Sequence, residues 1–179
     1  MKIAICDDEK KLRKDLRHLL ELHLDLKGIP YEIQEYESGD ALLKDEHKED
    51  IQLLFLDIEM PGKGGMETAH GLRDANLKML IIFVTAYPDY VFQGYEVQAF
   101  HYILKPYQET KLRDVLDRAL TELNALAEQY YLIEQKSQTL RLNLRSVCYF
   151  KSEKRTIYAF SKQNHETSFY GKLDVSVFP

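Results

Sequence analysis

Five short apolar runs, spaced by longer polar stretches, restrict what this chain can fold into more than any other feature of its sequence. The runs are KIAIC (2–6), YEIQEY (31–36), LLFLD (53–57), MLIIFVT (79–85) and FHYILK (100–105). Each has the length of a strand. Three of them are nearly continuous in apolar character, as strands covered on both faces must be. Between and after the runs, apolar residues return at helical spacing: Leu12, Leu16, Leu19 and Leu20 in the first interval, then Leu112, Val115, Leu116, Ala119, Leu120 and Leu123 after the fifth run. Five strands alternating with five helices up to about residue 128 predict an α/β architecture. It is a five-stranded parallel, doubly wound sheet with right-handed crossovers and helices on both faces. Ligands of such sheets sit at the carboxyl ends of the strands, beside the point where strand order reverses.

Polar residues gather at those ends. Asp7 and Asp8 follow the first run, Asp57 closes the third, Thr85 the fourth and Lys105 the fifth. Asp7 and Asp8 could instead cap the first helix, since Asp is a favoured N-cap. The other three, taken singly, read as solvated loop residues. Their joint placement is what points to a site. Three carboxylates in one place repel one another unless a cation joins them, and a hard divalent ion with few protein ligands fits Mg²⁺. An exposed Asp57 beside Mg²⁺ is equipped to act as a nucleophile toward a phosphoryl group. Thr85 and Lys105 would then hold the phosphoryl oxygens, one by its hydroxyl and one by charge.

The segments CDDE (6–9), LDIEMPGKGG (56–65), TA (85–86) and YILKP (102–106) together resemble a two-component response regulator receiver domain, over about 120 residues. The resemblance implies a flavodoxin-like fold in which Asp57 accepts a phosphoryl group from a sensor histidine kinase. It implies that Asp8 and Asp57 ligate Mg²⁺ with the backbone carbonyl of Glu59, and that Asp7 helps through water. It also implies a cis Lys105–Pro106 bond and a switch in which Thr85 moves toward the phosphoryl group while Tyr102 rotates inward. The face involved is the family's fourth helix, fifth strand and fifth helix, and the aromatic stretch YPDYVFQGYEVQAFHYI (87–103) suits a homodimer surface remodelled by phosphorylation. The bland reading of Tyr102 is one packing aromatic among 12 tyrosines.

Charge divides the chain in two. Residues 1–129 carry 16 Lys and Arg against 25 Asp and Glu, whereas residues 130–179 carry 8 against 4. The basic part has short β-type runs at 130–134, 139–143, 147–151, 156–160 and 167–170. Its stretches VCYFKSEKRTIYAFSK and TSFYGKL are similar to the opening half of a LytTR-type DNA-binding domain, which follows receivers of this subtype and would control transcription. A full module of that type is about twice this length, and its part rich in Arg, His and Asn has no counterpart before GKLDVSVFP ends. The chain is therefore read as a receiver (1–125) followed by a linker and a truncated β domain (126–179). Lys151, Lys154 and Arg155 form a basic turn, read as a solvated hairpin tip, so DNA affinity of this stretch is expected to be weak and salt-sensitive.

The remaining features exclude more than they add. The longest apolar run, MLIIFV (79–84), is far short of a membrane span, and acids in MKIAICDDEK stand where a signal peptide would continue its apolar region. A cytoplasmic location with no membrane partner is expected. Cys6 and Cys148 lack metal spacing and read as core thiols. The histidines at 18, 23, 47, 70, 101 and 165 show no metal spacing either. Two rivals compete with the phosphorylatable switch, itself no turnover enzyme. A haloacid-dehalogenase-type phosphohydrolase wants a second Asp and a Thr or Val where Glu59 and Pro61 stand. A receiver-fold binding module that works without phosphorylation would have lost an acid, the Thr or the Lys, and none is lost.

Overall fold

A computed structural model describes residues 1–90, 93–127, 130–135, 138–143, 147–161 and 166–171. The chain divides into two compact units, Met1–Thr121 and Glu122–Pro179. In the first, strands β1 (Lys2–Cys6), β2 (Glu32–Tyr36), β3 (Leu53–Leu56), β4 (Leu80–Thr85) and β5 (His101–Leu104) alternate with helices α1 (Lys10–Leu26), α2 (Gly39–Lys44), α3 (Gly65–Asp74) and α4 (Glu109–Ala127). All pairings are parallel and the order is β2-β1-β3-β4-β5. Strand order therefore reverses beside β1, between β2 on one side and β3 on the other.

Burial follows from position in that order. Every residue of β3 is buried, as are all but the first residues of β1 and β4, whereas β2 and β5 at the edges mix buried and exposed positions. Side chains alternate across a sheet. Ala4, Cys6, Leu54, Leu56, Ile81 and Phe83 accordingly join Leu42 of α2 and Ala69 and Leu72 of α3 in one core layer. Ile3, Ile5, Leu53, Phe55, Ile82 and Val84 are buried as well and, by alternation, face the other way. That second layer is closed by buried Leu16, Leu20 and Leu24 of α1 and by Leu112, Val115, Leu116, Ala119 and Leu120 of α4. His23 Nε2 of α1 and Asp117 Oδ1 of α4, 2.6 Å apart, tie these two helices together. Burying each such Leu or Ile is worth roughly 1.5–3 kcal/mol, so the two layers carry most of the unit's stability.

The helix ends are set by local chemistry. Helix α2 begins at Ser38, whose hydroxyl accepts the Ala41 N–H at 3.2 Å. Helix α1 is closed off by Gly28, two residues past its end, where φ is +65° and the Gly28 and Ile29 amides turn back to the carbonyls of Asp25 and Leu24. Only a residue without a Cβ enters that left-handed turn cheaply.

The connection from β4 to β5 corrects the sequence reading. Regular alternation predicts a fourth helix there, but the described residues form two single turns of 3₁₀ helix, Pro88–Tyr90 and Gln93–Tyr95. Pro88 and Gly94 both disfavour a continuous helix, and 3₁₀ geometry suits such short pieces. The described helices of this unit are thus four, not five. Residues 91 and 92, within the expected aromatic face, lie outside the described residues. The far end of this connection is held by Arg73 of α3, whose guanidinium donates to the carbonyls of Val97 (2.8 Å), Leu77 (2.6 Å) and Met79 (3.1 Å).

The second unit is β throughout its described length beyond α4. Strands β6 (Tyr130–Gln135) and β7 (Gln138–Asn143) form an antiparallel pair. Strands β8 (Val147–Glu153), β9 (Thr156–Ser161) and β10 (Glu166–Tyr170) form an antiparallel sheet in the order β10-β9-β8. Ile133, Leu142, Ile157, Ala159 and Phe169 make its core. Cys6 is buried as expected, but Cys148 is exposed. The register of β8 shifts between Val147 and Tyr149, and a bulge of this kind turns a side chain out of strict alternation.

Candidate functional site

The site is assembled by strand ends. Asp7 and Asp57 leave the two central strands beside the reversal point: the Asp7 N–H donates to the Tyr36 carbonyl at 3.1 Å and the Asp57 N–H to the Cys6 carbonyl at 2.9 Å. Both side chains are buried, Asp57 against the exposure expected of it because it closes a strand covered on both faces, while Asp8 is exposed. One oxygen from each of Asp7, Asp8 and Asp57 falls within 4.8 Å of the others. Lys105 arrives from the end of β5, its N–H donating to the Thr85 carbonyl at 2.8 Å. Its ammonium donates to Asp7 Oδ2 at 2.7 Å and to Asp57 Oδ2 at 2.8 Å. Burial alone would lower the Lys105 pKa, but the hydrogen bonds to Asp57 and Asp7 outweigh it and the net shift is upward. The amine therefore stays charged, and it offsets part of the repulsion between two buried carboxylates.

Backbone donors hold the acids in place. Asp57 Oδ1 accepts the Ile58 N–H at 2.7 Å, and Asp7 Oδ1 accepts the Glu9 N–H at 2.8 Å. Neither Asp7 nor Asp8 caps α1: its N-cap is Glu9, with no side-chain cap bond. Behind Asp57 the chain passes so close that a Cβ on Gly65 would lie 2.0 Å from the Asp57 carbonyl oxygen, so glycine is obligatory there. The neighbouring Cys6 thiol is pushed up to about 12 by burial, then by the charge of Asp7, which makes it inert as a nucleophile.

The other expected residues are placed as follows. Thr85 is fully buried at the end of β4, and its hydroxyl accepts the Tyr87 N–H at 3.4 Å. Glu59 is exposed, and its carboxylate beside the Tyr87 phenol raises that phenol's pKa. Tyr102 lies half-buried against Phe83, ring centroids 5.9 Å apart, and its hydroxyl donates to the Tyr87 carbonyl. Burial, then the charges of Asp57 and Asp89, push that phenol up to about 12. The Lys105–Pro106 bond is cis, as the resemblance implied. Tyr87, Gly65 and Arg13 also take part, although the sequence alone assigns none of them a role of its own. Arg13 had a signal, because it falls three residues before Leu16 on the stripe that α1 buries.

A hard cation fits this donor set. Three carboxylates supply only oxygen, one of them opens to solvent, and the ammonium of Lys105 already shows that the pocket accepts positive charge.

A doubly wound α/β domain with an acidic cleft beside its reversal point thus defines the class of protein. The chain belongs to the response regulator receiver domain family, whose model matches residues 3–117, and so carries the receiver of a two-component system. It is 36% identical over 118 residues to the sensory transduction protein LytT of Oceanobacillus iheyensis, covering 65% of this chain and 46% of that protein. It is 29% identical over 178 residues to the transcriptional regulatory protein BtsR of Escherichia coli, covering 93% of this chain and 72% of that protein. Among solved structures, the response regulatory domain of MrkE from Klebsiella pneumoniae superimposes with a TM-score of 0.63 at 30% identity, covering 70% of this chain and 99% of that one. The response regulator TrrA of Thermotoga maritima, solved in complex with Mg²⁺ and a beryllium fluoride, gives 0.53 at 32% identity, covering 66% of this chain and 97% of that one.

Proposed function

We propose that Asp57 is a phosphoacceptor and that the chain is the switch of a two-component phosphorelay. The observation that carries this reading is the meeting of Asp57 with Asp7 and Lys105 at hydrogen-bonding distance, with Asp8 inside the same 4.8 Å cluster. Asp8, Asp57 and the Glu59 carbonyl would hold Mg²⁺, with Asp7 acting through water. An ion held there would supply positive charge to offset that of the acids and of the phosphoryl oxygens. A carboxylate oxygen of Asp57 attacks phosphorus, and the bond from phosphorus to the kinase's histidine nitrogen breaks with its electron pair on the nitrogen. The Lys105 ammonium transfers its hydrogen bonds to the new phosphoryl oxygens. The protein acts on itself and turns over no external substrate pool.

The added group brings roughly −1.5 to −2 charges. In this reading the Thr85 hydroxyl turns toward it, which releases the Tyr87 amide and loosens the segment that Tyr102 holds through the Tyr87 carbonyl. Tyr102 then moves inward, and the surface around β5 is remodelled for a second copy of the chain. The output is assigned to residues 126–179, as the first part of a LytTR-type module acting on DNA in the control of transcription, with the receiver in residues 1–125. The similarity to BtsR over nearly the whole chain supports that assignment.

Beryllium fluoride, a mimic of an acyl phosphate, tests the site. With MgCl₂ it is expected to raise the thermal midpoint of the wild type and leave Asp57→Asn unmoved. An equal rise in both would remove Asp57 from the reading.

A further inference from the structure

Arg13 occupies a place where a leucine would be expected. It lies in α1 on the stripe with Leu16, Leu20 and Leu24, and it is as buried as a core residue at 9% exposure. Its guanidinium Nη1 donates to the carbonyl of Asp7 at 2.6 Å and to that of Asp8 at 3.1 Å. Its Nε lies 3.4 Å from Glu35 Oε2 on β2, without the alignment of a hydrogen bond. Glu35 is held in turn by Arg17, whose Nη1 donates to Oε1 at 3.0 Å. A buried fork therefore reaches from the helix to the turn that carries both acids.

The two acids differ in what else fixes them. Asp7 is held by Lys105 and by the Glu9 amide. The Asp8 carboxylate makes no hydrogen bond or ion pair among the described residues, and its direction depends on its backbone alone. Past the strand end the sheet ladder no longer anchors that backbone. Arg13 supplies the anchor, and a planar guanidinium does so with fewer freedoms lost per bond than an ammonium would.

Building on the phosphoacceptor reading, we propose that Arg13 is a positioning residue for Mg²⁺: it aims the Asp8 carboxylate into the cluster by gripping the Asp7 and Asp8 carbonyls, and touches neither the ion nor the phosphoryl group. The sign of its effect separates this role from simple electrostatics. A cation near an acidic pocket repels Mg²⁺, so a residue acting by charge would strengthen metal binding when removed. A residue acting by position weakens it. Outer partners of metal ligands are worth about 10–100-fold in affinity.

The test is MgCl₂ titration by calorimetry on the full chain, comparing wild type, Arg13→Gln, Arg13→Lys and Asp8→Ala, with thermal midpoints in EDTA as a folding control. Arg13→Gln is expected to bind about tenfold more weakly at unchanged stoichiometry. Arg13→Lys, which keeps the charge and one donor group, is expected to fall between it and wild type, and it keeps the test decisive if the Gln variant does not fold. Unchanged or tighter binding overturns the proposal, and so does a loss of stoichiometry at unchanged affinity, the mark of a merely structural role. In both cases wild type and Asp8→Ala still report on the phosphoacceptor reading. A wild type that binds no Mg²⁺ overturns both.

Discussion

The imidazole of His101 sits at the edge strand β5, one residue from the proposed switch tyrosine. Its Nδ1 accepts the Tyr102 N–H at 2.8 Å, so the neutral ring carries its proton on Nε2, which is buried without a partner. Burial, followed by the positive charges of Lys111 and Arg118 of α4, lowers its pKa below the ordinary 6.5. The unfolded chain therefore takes up this proton at a higher pH than the native one. The stability this residue provides is present above about pH 6.5 and is lost as pH falls toward the lowered native value. Urea midpoints measured between pH 7.5 and 5.5 are expected to fall with pH in wild type and to fall less in His101→Gln. Equal slopes would show that the ring is not protonated on unfolding. The residue scale is also where the sequence is most legible for the site and least legible for what supports it. Asp7, Asp8, Asp57 and Lys105 can be placed because they follow apolar runs directly. Arg13 shows there only as a charged residue on the buried stripe of α1, without its partners, and Tyr87 not at all, because its neighbours Glu59 and Tyr102 are distant in sequence.

Among the elements, the connection from β4 to β5 departs furthest from expectation. Regular alternation calls for a helix there, and the periodic stripes of α1 and α4 make their own helices plain. In this stretch Pro88 and Gly94 break the pattern, and short 3₁₀ turns take its place. Its last residues depend on Arg73, which binds the carbonyls of Val97, Leu77 and Met79. Hydrogen bonds to a charged group contribute about 1.5–3 kcal/mol each when a buried partner would be left unmet. These carbonyls are only partly buried, so water replaces much of what the three bonds supply, and Arg73→Ala is expected to lower unfolding stability by about 2 kcal/mol, read from the urea midpoint. A change below a few tenths of a kcal/mol would show that water replaces the guanidinium without loss.

On the scale of the whole chain, an acidic α/β unit precedes a basic β unit, and composition alone makes that split in charge plain. The strands of the second unit are legible too, because alternation and turn residues mark short antiparallel strands well. The exposure of Cys148 is not, since it rests on the place of β8 at the end of the order β10-β9-β8, where none of its residues is buried. Because every acid and the lysine of the site belong to Met1–Thr121, a chain ending at residue 125 is expected to be phosphorylated as fully as the whole protein. A large loss on truncation would mean that the second unit completes the site.

The central claim is that Asp57 forms an aspartyl phosphate. Intact mass after incubation with acetyl phosphate, with and without MgCl₂, on wild type and Asp57→Asn, tests it most directly. The account predicts a gain of about 80 Da, one phosphoryl group, in wild type with Mg²⁺ and in no other sample. An equal gain in Asp57→Asn, or none in wild type with Mg²⁺, would contradict it.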